Sequence, residues 1–309
     1  MKSYIKQLLC VVLSITTSTS TFFESHSTSY PFITGDTFRA FCDHIFDETT
    51  HSITKQVHDG DTIFVKASML EEFFNFIHPR IRAHYILVSH NSDFNAPGKF
   101  KSYLDDPKII VWFARNADIK HSKLIPIPIG IPNTYWPNGN VDNFITAMQQ
   151  KVNVNNRYED KLVYVNFAIQ TNYQERNTAL DFFARQPFSY VGHVIPHTEF
   201  LYELGHYKFT VSPPGGGIDC YRTWESLLMG TIPLIKHSTI DPLFENLPVV
   251  LVNDWEEVTQ EFLLNKFNEI NTKTYNMKKL YADYWFMLIK LYQKQYRAKK
   301  SKYHQRSLG

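Results

Sequence analysis

The residues with the clearest capacity for chemistry lie between Ser212 and Glu225, where a loop of two prolines and three glycines leads into a helical pattern. Because glycine has no Cβ, the backbone of such a loop can approach a ligand closely. The following helix presents free N–H groups and the positive end of its dipole to an anion. Arg222 can bind a diphosphate through a bidentate contact, and Glu225 can accept two hydrogen bonds from a ribose diol. The same residues also permit a plainer interpretation, in which Arg222 and Glu225 form a surface pair.

The helical period divides this segment into an apolar and a polar side. The apolar side, which we predict to be buried, comprises Tyr221, Trp224, Leu227 and Leu228. The opposite side comprises Asp219, Arg222 and Ser226, with Glu225 at its flank. Gly230 is predicted to close the helix before the chain re-enters a sheet.

The elements that must position these residues alternate between short β-branched or aromatic runs and longer helical patterns. In the first half, strands are predicted over 61–65, 84–89, 108–113 and 124–129, with helices over 36–47 and 69–77. In the second half, strands are predicted over 162–165, 188–191, 208–211, 231–235 and 249–252, with helices over 174–185, 197–206, 221–229 and 256–270. Apolar strands separated by helices indicate parallel sheets. We therefore predict an α/β fold of two Rossmann-like lobes, with a ligand cleft at the carboxyl ends of both sheets.

Composition sets the class of protein and the division of the chain. The 309 residues are 43% apolar and 20% charged, which excludes a disordered chain and a multispanning membrane protein. A net charge of +2 gives no field that favours nucleic acid as the main partner. We predict a secretory leader over 1–25, a first lobe over 26–135, a linker over 136–160, a second lobe over 161–270 and a C-terminal helix with a basic tail over 271–309. The leader predicts a Golgi-like lumen, a periplasm or a membrane-associated location, and the tail is either a membrane-surface contact or a solvated helix end.

Several other patterns are weaker than they first seem. Asp59-Gly-Asp61 has the form of a metal-binding pair, but it precedes a strand and is more typical of a turn. His193 and His197 have the spacing of a zinc pair, but Pro196 prevents one helix from presenting both. Asn116 is predicted to belong to a connection between two strands. The chain has no motif of a serine hydrolase, a P-loop ATPase or a dinucleotide fingerprint, and no metal or other cofactor is predicted.

Residues 208–235 read KFTVSPPGGGIDCYRTWESLLMGTIPLI and resemble the nucleotide-sugar-binding segment of exostosin-like glycosyltransferases. The shared pattern is a Lys-Phe strand, a Pro and Gly loop, an Asp, Arg and Glu series, and a Gly-x-Ile-Pro strand. The segments LFENLPVVLVNDWEEV, over 243–258, and NFAIQTNYQERNTAL, over 166–180, also resemble that family. In the first lobe the resemblance rests on TGDTFRAF, over 34–41, and LVSHNSDF, over 87–94.

The resemblance implies a GT-B fold and transfer of a sugar from a nucleotide-diphosphate donor, typically a UDP-sugar, to a hydroxyl of a glycan or glycoconjugate. It implies a donor site that comprises Asn166, Arg176, Ser212, Gly215, Gly216, Asp219, Arg222 and Glu225. It also implies an acceptor side that comprises Asp36, Arg39, Asn91 and Asp93, with Asp93 or Asp36 as the general base. The alternative is a catalytically inactive nucleotide- or carbohydrate-binding protein of the same fold.

Overall fold

Two five-stranded parallel sheets form the framework of the chain in the computed structural model, which describes residues 29–150, 157–158 and 161–307. The first sheet has the order β1-β2-β3-β4-β5. Its strands are β1 His44–Phe46, β2 Asp61–Lys66, β3 Tyr85–His90, β4 Ile109–Ala114 and β5 Leu124–Pro126. The second has the order β10-β9-β8-β6-β7. Its strands are β6 Val163–Val165, β7 Ser189–Val191, β8 Phe209–Val211, β9 Ile232–Lys236 and β10 Val250–Val252. The predicted α/β class with two parallel sheets is thereby confirmed, and the arrangement is compatible with two Rossmann-like lobes.

Seven α-helices of six or more residues are present in the described part of the chain. They are α1 Gly35–Ala40, α2 Val141–Gln149, α3 Tyr173–Phe183, α4 His197–Leu204, α5 Tyr221–Met229, α6 Gln260–Asn271 and α7 Ala282–Ser307. The helical segment predicted over 69–77 is an irregular series of short turns from Ala67 to Arg80. Helix α5 has the predicted bounds, and it ends where Gly230 adopts a left-handed conformation with φ 79°.

Some predicted boundaries are wrong. The helix predicted over 36–47 ends at Ala40, and 44–46 form β1 instead, because Asp43 accepts hydrogen bonds from the backbone and hydroxyl of Thr62 and thereby fixes this segment beside β2. The strand predicted over 124–129 ends at Pro126. The helix predicted over 256–270 is divided, since Thr259 caps a new helix that begins at Gln260.

The segment predicted as a linker over 136–160 contains helix α2, which Asn140 caps and which buries Phe144 and Ala147. The leader predicted over 1–25 lies outside the described residues, and its role stays a prediction. In the residues that the structure describes, no helix has the length and apolar character to cross a membrane.

The C-terminal helix α7 returns to the first lobe and packs there through aromatic side chains. Trp285 contacts Phe38, and Phe286 contacts Phe41, with ring centroids 6.1 and 5.2 Å apart. Gln293 donates a hydrogen bond of 2.8 Å to the carbonyl oxygen of Gly60. A continuous core therefore joins the first sheet to α2, α4, α5 and α7, while a second core lies between the second sheet and helices α3 and α6.

The docking of α7 yields a stability prediction. Trp285 is buried and its indole N–H donates to the carbonyl oxygen of Lys279, so Trp285→Ala should lower the free energy of unfolding by about 3–5 kcal/mol. Met287 lies two residues further along and is 65% exposed, so Met287→Ala should change it by less than about 0.5 kcal/mol. Urea unfolding measures the stability of both variants. Equal unfolding midpoints for Trp285→Ala and Met287→Ala would contradict this description of α7.

Candidate functional site

The carboxyl ends of the two sheets meet at the glycine loop that follows β8. Asp93 follows β3, and its Oδ2 lies 2.5 Å from the position that a Cβ on Gly216 would take. Asn116 follows β4 and accepts a 3.2 Å hydrogen bond from the backbone N–H of Asp219. Asn116, which we predicted as part of a connection, thus also joins the lobes. Asp93 and Asn116 of the first half therefore lie directly against the glycine loop of the second half.

Arg222 has unused hydrogen-bonding capacity near this contact, as does Arg115, whose Nε is buried without a partner among the described residues. Its Nε donates to the carbonyl oxygen of Asn166 over 2.8 Å. Its Nη1 is buried and has no hydrogen-bond partner among the described residues. Burial, reinforced by the nearby charge of Arg176, lowers the pKa of Arg222 to about 10, so the guanidinium remains protonated at neutral pH. A surface pair of Arg222 with Glu225 is not present within the described residues.

The start of α5 adds uncapped backbone to the same place. Cys220 is the N-cap residue, and its side chain makes no capping hydrogen bond. The N–H of Thr223 donates to the carbonyl oxygen of Cys220 over 3.1 Å, so the start of α5 offers the N–H groups of Tyr221 and Arg222 and the positive end of the helix dipole. Together with Nη1 of Arg222, these are donors of the kind that an anion requires.

Arg176 has a different local role from Arg222. Its guanidinium is largely buried and donates to the carbonyl oxygens of Ala168, Pro213 and Pro214 over 2.6, 3.5 and 3.0 Å. A Cβ on Gly215 would lie 2.7 Å from Arg176 Nη2, which explains the glycine there. Arg176 therefore fixes the conformation of the loop. Its positive charge is also close enough to Arg222 to lower the pKa of that residue.

Phe167 lies between the two arginines. Its ring centroid is 5.8 Å from Arg176 Cζ and 5.3 Å from Arg222 Cζ. Cation–π attraction at these distances holds two like charges close together. Phe167 is not among the predicted site residues, although it follows Asn166 directly in the segment 166–180.

Glu225 is held by a residue that sequence reasoning set aside. His197 Nε2 lies 2.8 Å from Glu225 Oε1, and both side chains are almost fully buried. His197 Nδ1 is also buried and has no partner among the described residues. His197 is therefore neither half of a zinc pair nor a plain core residue. Since it lies 28 residues from Glu225, no local spacing could have revealed the contact.

The side chains of Asp219 and Ser212 face the interior of the protein. Asp219 accepts hydrogen bonds from Ile129 N, Trp224 Nε1 and Cys220 N, at 2.7 to 3.0 Å, so both carboxylate oxygens are engaged. Ser212 Oγ is hydrogen-bonded to the Thr223 hydroxyl over 2.9 Å. Both residues fix the loop and α5, and neither side chain is presented to a ligand.

Asn166 links the donor-side elements. Its carbonyl oxygen accepts from Arg222, and its Nδ2 donates to the Tyr164 hydroxyl and to the His193 carbonyl oxygen over 2.8 and 3.0 Å. It therefore orients Arg222 through its backbone.

The predicted acceptor side divides into two groups. Asp36 Oδ1 accepts from Asn91 Nδ2 over 3.3 Å, and Asn133 donates to Asn91 and accepts from the backbone of Asp36. Burial raises the pKa of Asp36, against the opposing effect of the Asn91 hydrogen bond. The Nε of Arg39 is bound to Asp47 over 2.6 Å, although its charge is close enough to Asp36 to oppose the rise of that pKa.

Asp93 is the other acidic group of the predicted acceptor side. Its Oδ1 forms a 2.9 Å ion pair with Arg115, a buried residue at the end of β4 that sequence reasoning missed. Arg115 Nη1 donates to the carbonyl oxygen of Ser92, which holds this turn over the glycine loop. Asp93 itself remains 64% exposed in its side chain.

Within 29–150, 157–158 and 161–307, no group of three metal-ligating side chains is found. The Asp-x-Asp pair is engaged elsewhere, since Asp59 contacts His84 and Asp61 contacts His44. Neither protein-family models nor curated proteins yield a match to this chain.

Asp219 makes folding depend on pH. Burial raises its pKa from 3.8 to about 6, so folding favours the protonated carboxyl. The resulting stabilisation is complete below about pH 4 and is lost as the pH rises through about 6. We expect the parent to lose stability relative to Asp219→Asn over this range, measured by urea unfolding at a series of pH values. A difference that stays constant across the range would contradict the prediction.

Proposed function

We propose that this chain is an exostosin-like glycosyltransferase of the GT-B type. It transfers a sugar from a nucleotide-diphosphate sugar, probed first as a UDP-sugar, to a hydroxyl of a glycan or glycoconjugate. The single observation that carries the proposal is Arg222, whose buried Nη1 has no partner in the described residues and lies beside an uncapped helix start. A buried, unsatisfied charged donor is costly unless a ligand completes it.

The chemistry of this place suits a diphosphate. Arg222 and Arg176 are close enough to lower the pKa of Arg222 through their mutual repulsion, in addition to burial. A diphosphate relieves that repulsion and accepts hydrogen bonds from Nη1 of Arg222 and from the first N–H groups of α5. The same donors stabilise the negative charge that develops on the leaving nucleotide diphosphate, which is the role that a cation would otherwise have.

Glu225 and His197 fit the nucleoside. The hydrogen bond from His197 occupies Oε1 of Glu225 and fixes the orientation of the carboxylate. We assign Oε2 to a ribose hydroxyl, because a carboxylate held in this way accepts hydrogen bonds without losing side-chain freedom on binding. Asp219 and Ser212 are positioning residues in this proposal, and their side chains do not contact the donor.

Asp36 is the better candidate for the general base. Its pKa is raised by burial, which moves it toward the range of an efficient base at neutral pH. Asp93 forms an ion pair with Arg115, and this pairing favours a structural role for Asp93 at the turn after β3 over a role as the base. Asn91 and Asn133 hold Asp36 in one orientation. Arg39 is left out of the acceptor side because Asp47 binds it.

The donor assignment predicts the effect of one charge. Arg222→Ala should weaken UDP binding about 10- to 100-fold, since a charged hydrogen-bonding partner is lost. Arg185→Ala removes an exposed arginine of the same lobe and should leave binding unchanged. Isothermal titration of UDP into the parent and both variants measures this. Equal affinities for the parent and Arg222→Ala would refute the donor site.

The assignment of Asp36 as the general base predicts a loss of turnover without a loss of UDP binding. Asp36→Asn should lower turnover about 10²- to 10⁴-fold and leave UDP affinity unchanged. Asp105→Asn, an exposed carboxylate of the first lobe, serves as the control. Turnover is measured as UDP release at saturating donor. If Asp93→Asn abolishes turnover and Asp36→Asn does not, the base is Asp93. A parent that binds UDP and transfers no sugar would instead be the inactive binding protein.

A further inference from the structure

A cavity of about 640 Å³ lies on the second lobe beside the edge strand β7. Five tyrosines line it, and we call it the tyrosine groove. They are Tyr158, Tyr164, Tyr190, Tyr202 and Tyr207. Glu199 and Glu203, one turn apart on α4, also line it. A cavity of this size with an aromatic lining and a few polar groups is typical of a small-molecule site.

Three tyrosine rings form an offset stack at the groove. The rings of Tyr164, Tyr190 and Tyr207 are nearly parallel, with interplanar angles of 10°, 17° and 11° and centroids 6.2, 4.9 and 6.0 Å apart for the three pairs. Tyr164 and Tyr207 are buried, and Tyr190 is 39% exposed. Tyr202, 47% exposed, stands at the rim. Exposed aromatic rings of this kind are shielded from water when a ligand packs on them, so they mark a candidate binding surface.

The charged groups of the groove are Glu199, Glu203 and Lys161, and the Nζ of Lys161 donates a 2.8 Å hydrogen bond to the carbonyl oxygen of Pro187. Neither Glu199 nor Glu203 forms an ion pair with a basic side chain in the part of the chain that the structure describes. Burial, followed by the negative charge of Glu203, raises the pKa of Tyr158 and of Tyr207. The phenols therefore remain neutral, and the carboxylates remain available as hydrogen-bond acceptors.

We propose that the tyrosine groove binds a neutral oligosaccharide. A pyranose ring presents a flat C–H face that packs on an aromatic ring, and its equatorial hydroxyls donate to carboxylates such as Glu199 and Glu203. Two glutamates against one lysine leave the groove with a net negative charge, which disfavours uronic acids and phosphorylated sugars. This site is distinct from the donor site and does not depend on the proposed transfer reaction.

The groove borders the donor site at one residue. Asn166 donates to the hydroxyl of Tyr164 and its backbone holds Arg222. A nucleoside is therefore the competing occupant that an experiment must separate from a sugar, because a nucleobase also stacks on tyrosine.

Titration calorimetry with cellohexaose, xylohexaose, mannohexaose and chitohexaose tests the proposal. We expect at least one to bind the parent, and Tyr190→Ala to weaken that binding about tenfold while Tyr190→Phe retains it. Tyr173→Ala, which removes a 70% exposed tyrosine on α3, is the matched control and should bind as the parent does. Thermal unfolding of each variant checks that it folds.

The outcomes separate this proposal from the donor site. Arg222→Ala should lose UDP binding and keep oligosaccharide binding, and Tyr190→Ala should do the reverse. If no oligosaccharide binds, or if Tyr190→Ala binds as tightly as the parent, the proposal is overturned. Loss of UDP binding in Tyr190→Ala would also overturn it and would assign the groove to the nucleoside.

Discussion

A guanidinium nitrogen that is buried without a hydrogen-bond partner among the described residues is the constraint on which the candidate site depends. Arg222 gives up hydration at Nη1 and gains no partner there among the described residues, at a cost of about 1–3 kcal/mol. The surrounding structure limits the cost only in part, through the Asn166 carbonyl and the face of Phe167. Arg176 then increases it by adding a second positive charge nearby. In the function that we propose, an anion completes this site and offsets the cost.

Hydrogen bonds from the first half of the chain hold the start of α5, the helix that carries Arg222. Asp219 accepts from the backbone of Ile129, which lies 90 residues away, and its own backbone N–H is held by Asn116. These bonds place the start of α5 against the carboxyl ends of β3 and β4. Helix α7 returns to the first lobe and adds an apolar connection between the chain's two halves.

Much of the fold is predictable because local patterns decide it. The apolar strands and helix α5 are predictable because their residues need only an apolar surface to pack on and no particular partner. Gly230 marks the end of α5 through its own left-handed conformation. The helix predicted over 36–47 is wrong because β1 depends on pairing with β2, where Thr62 binds Asp43. Helix α2 is absent from the prediction because its surroundings are rich in Asn and Pro.

The site is less predictable than the fold. The position of Arg222 and Glu225 on one helix follows from spacing, and so does the glycine loop. The tasks of Arg176, Asp219 and Ser212 do not, because each is set by acceptors or donors from other segments. His197 and Arg115 could not be found at all from the sequence, since their partners Glu225 and Asp93 are distant in the chain.

A crystal structure of the chain grown with UDP tests the central claim most directly. We expect a diphosphate oxygen within hydrogen-bonding distance of Arg222 Nη1, at the first turn of α5, with the ribose at Glu225. A nucleotide bound elsewhere, or a structure in which apolar side chains fill this place and Arg222 turns to solvent, would contradict it.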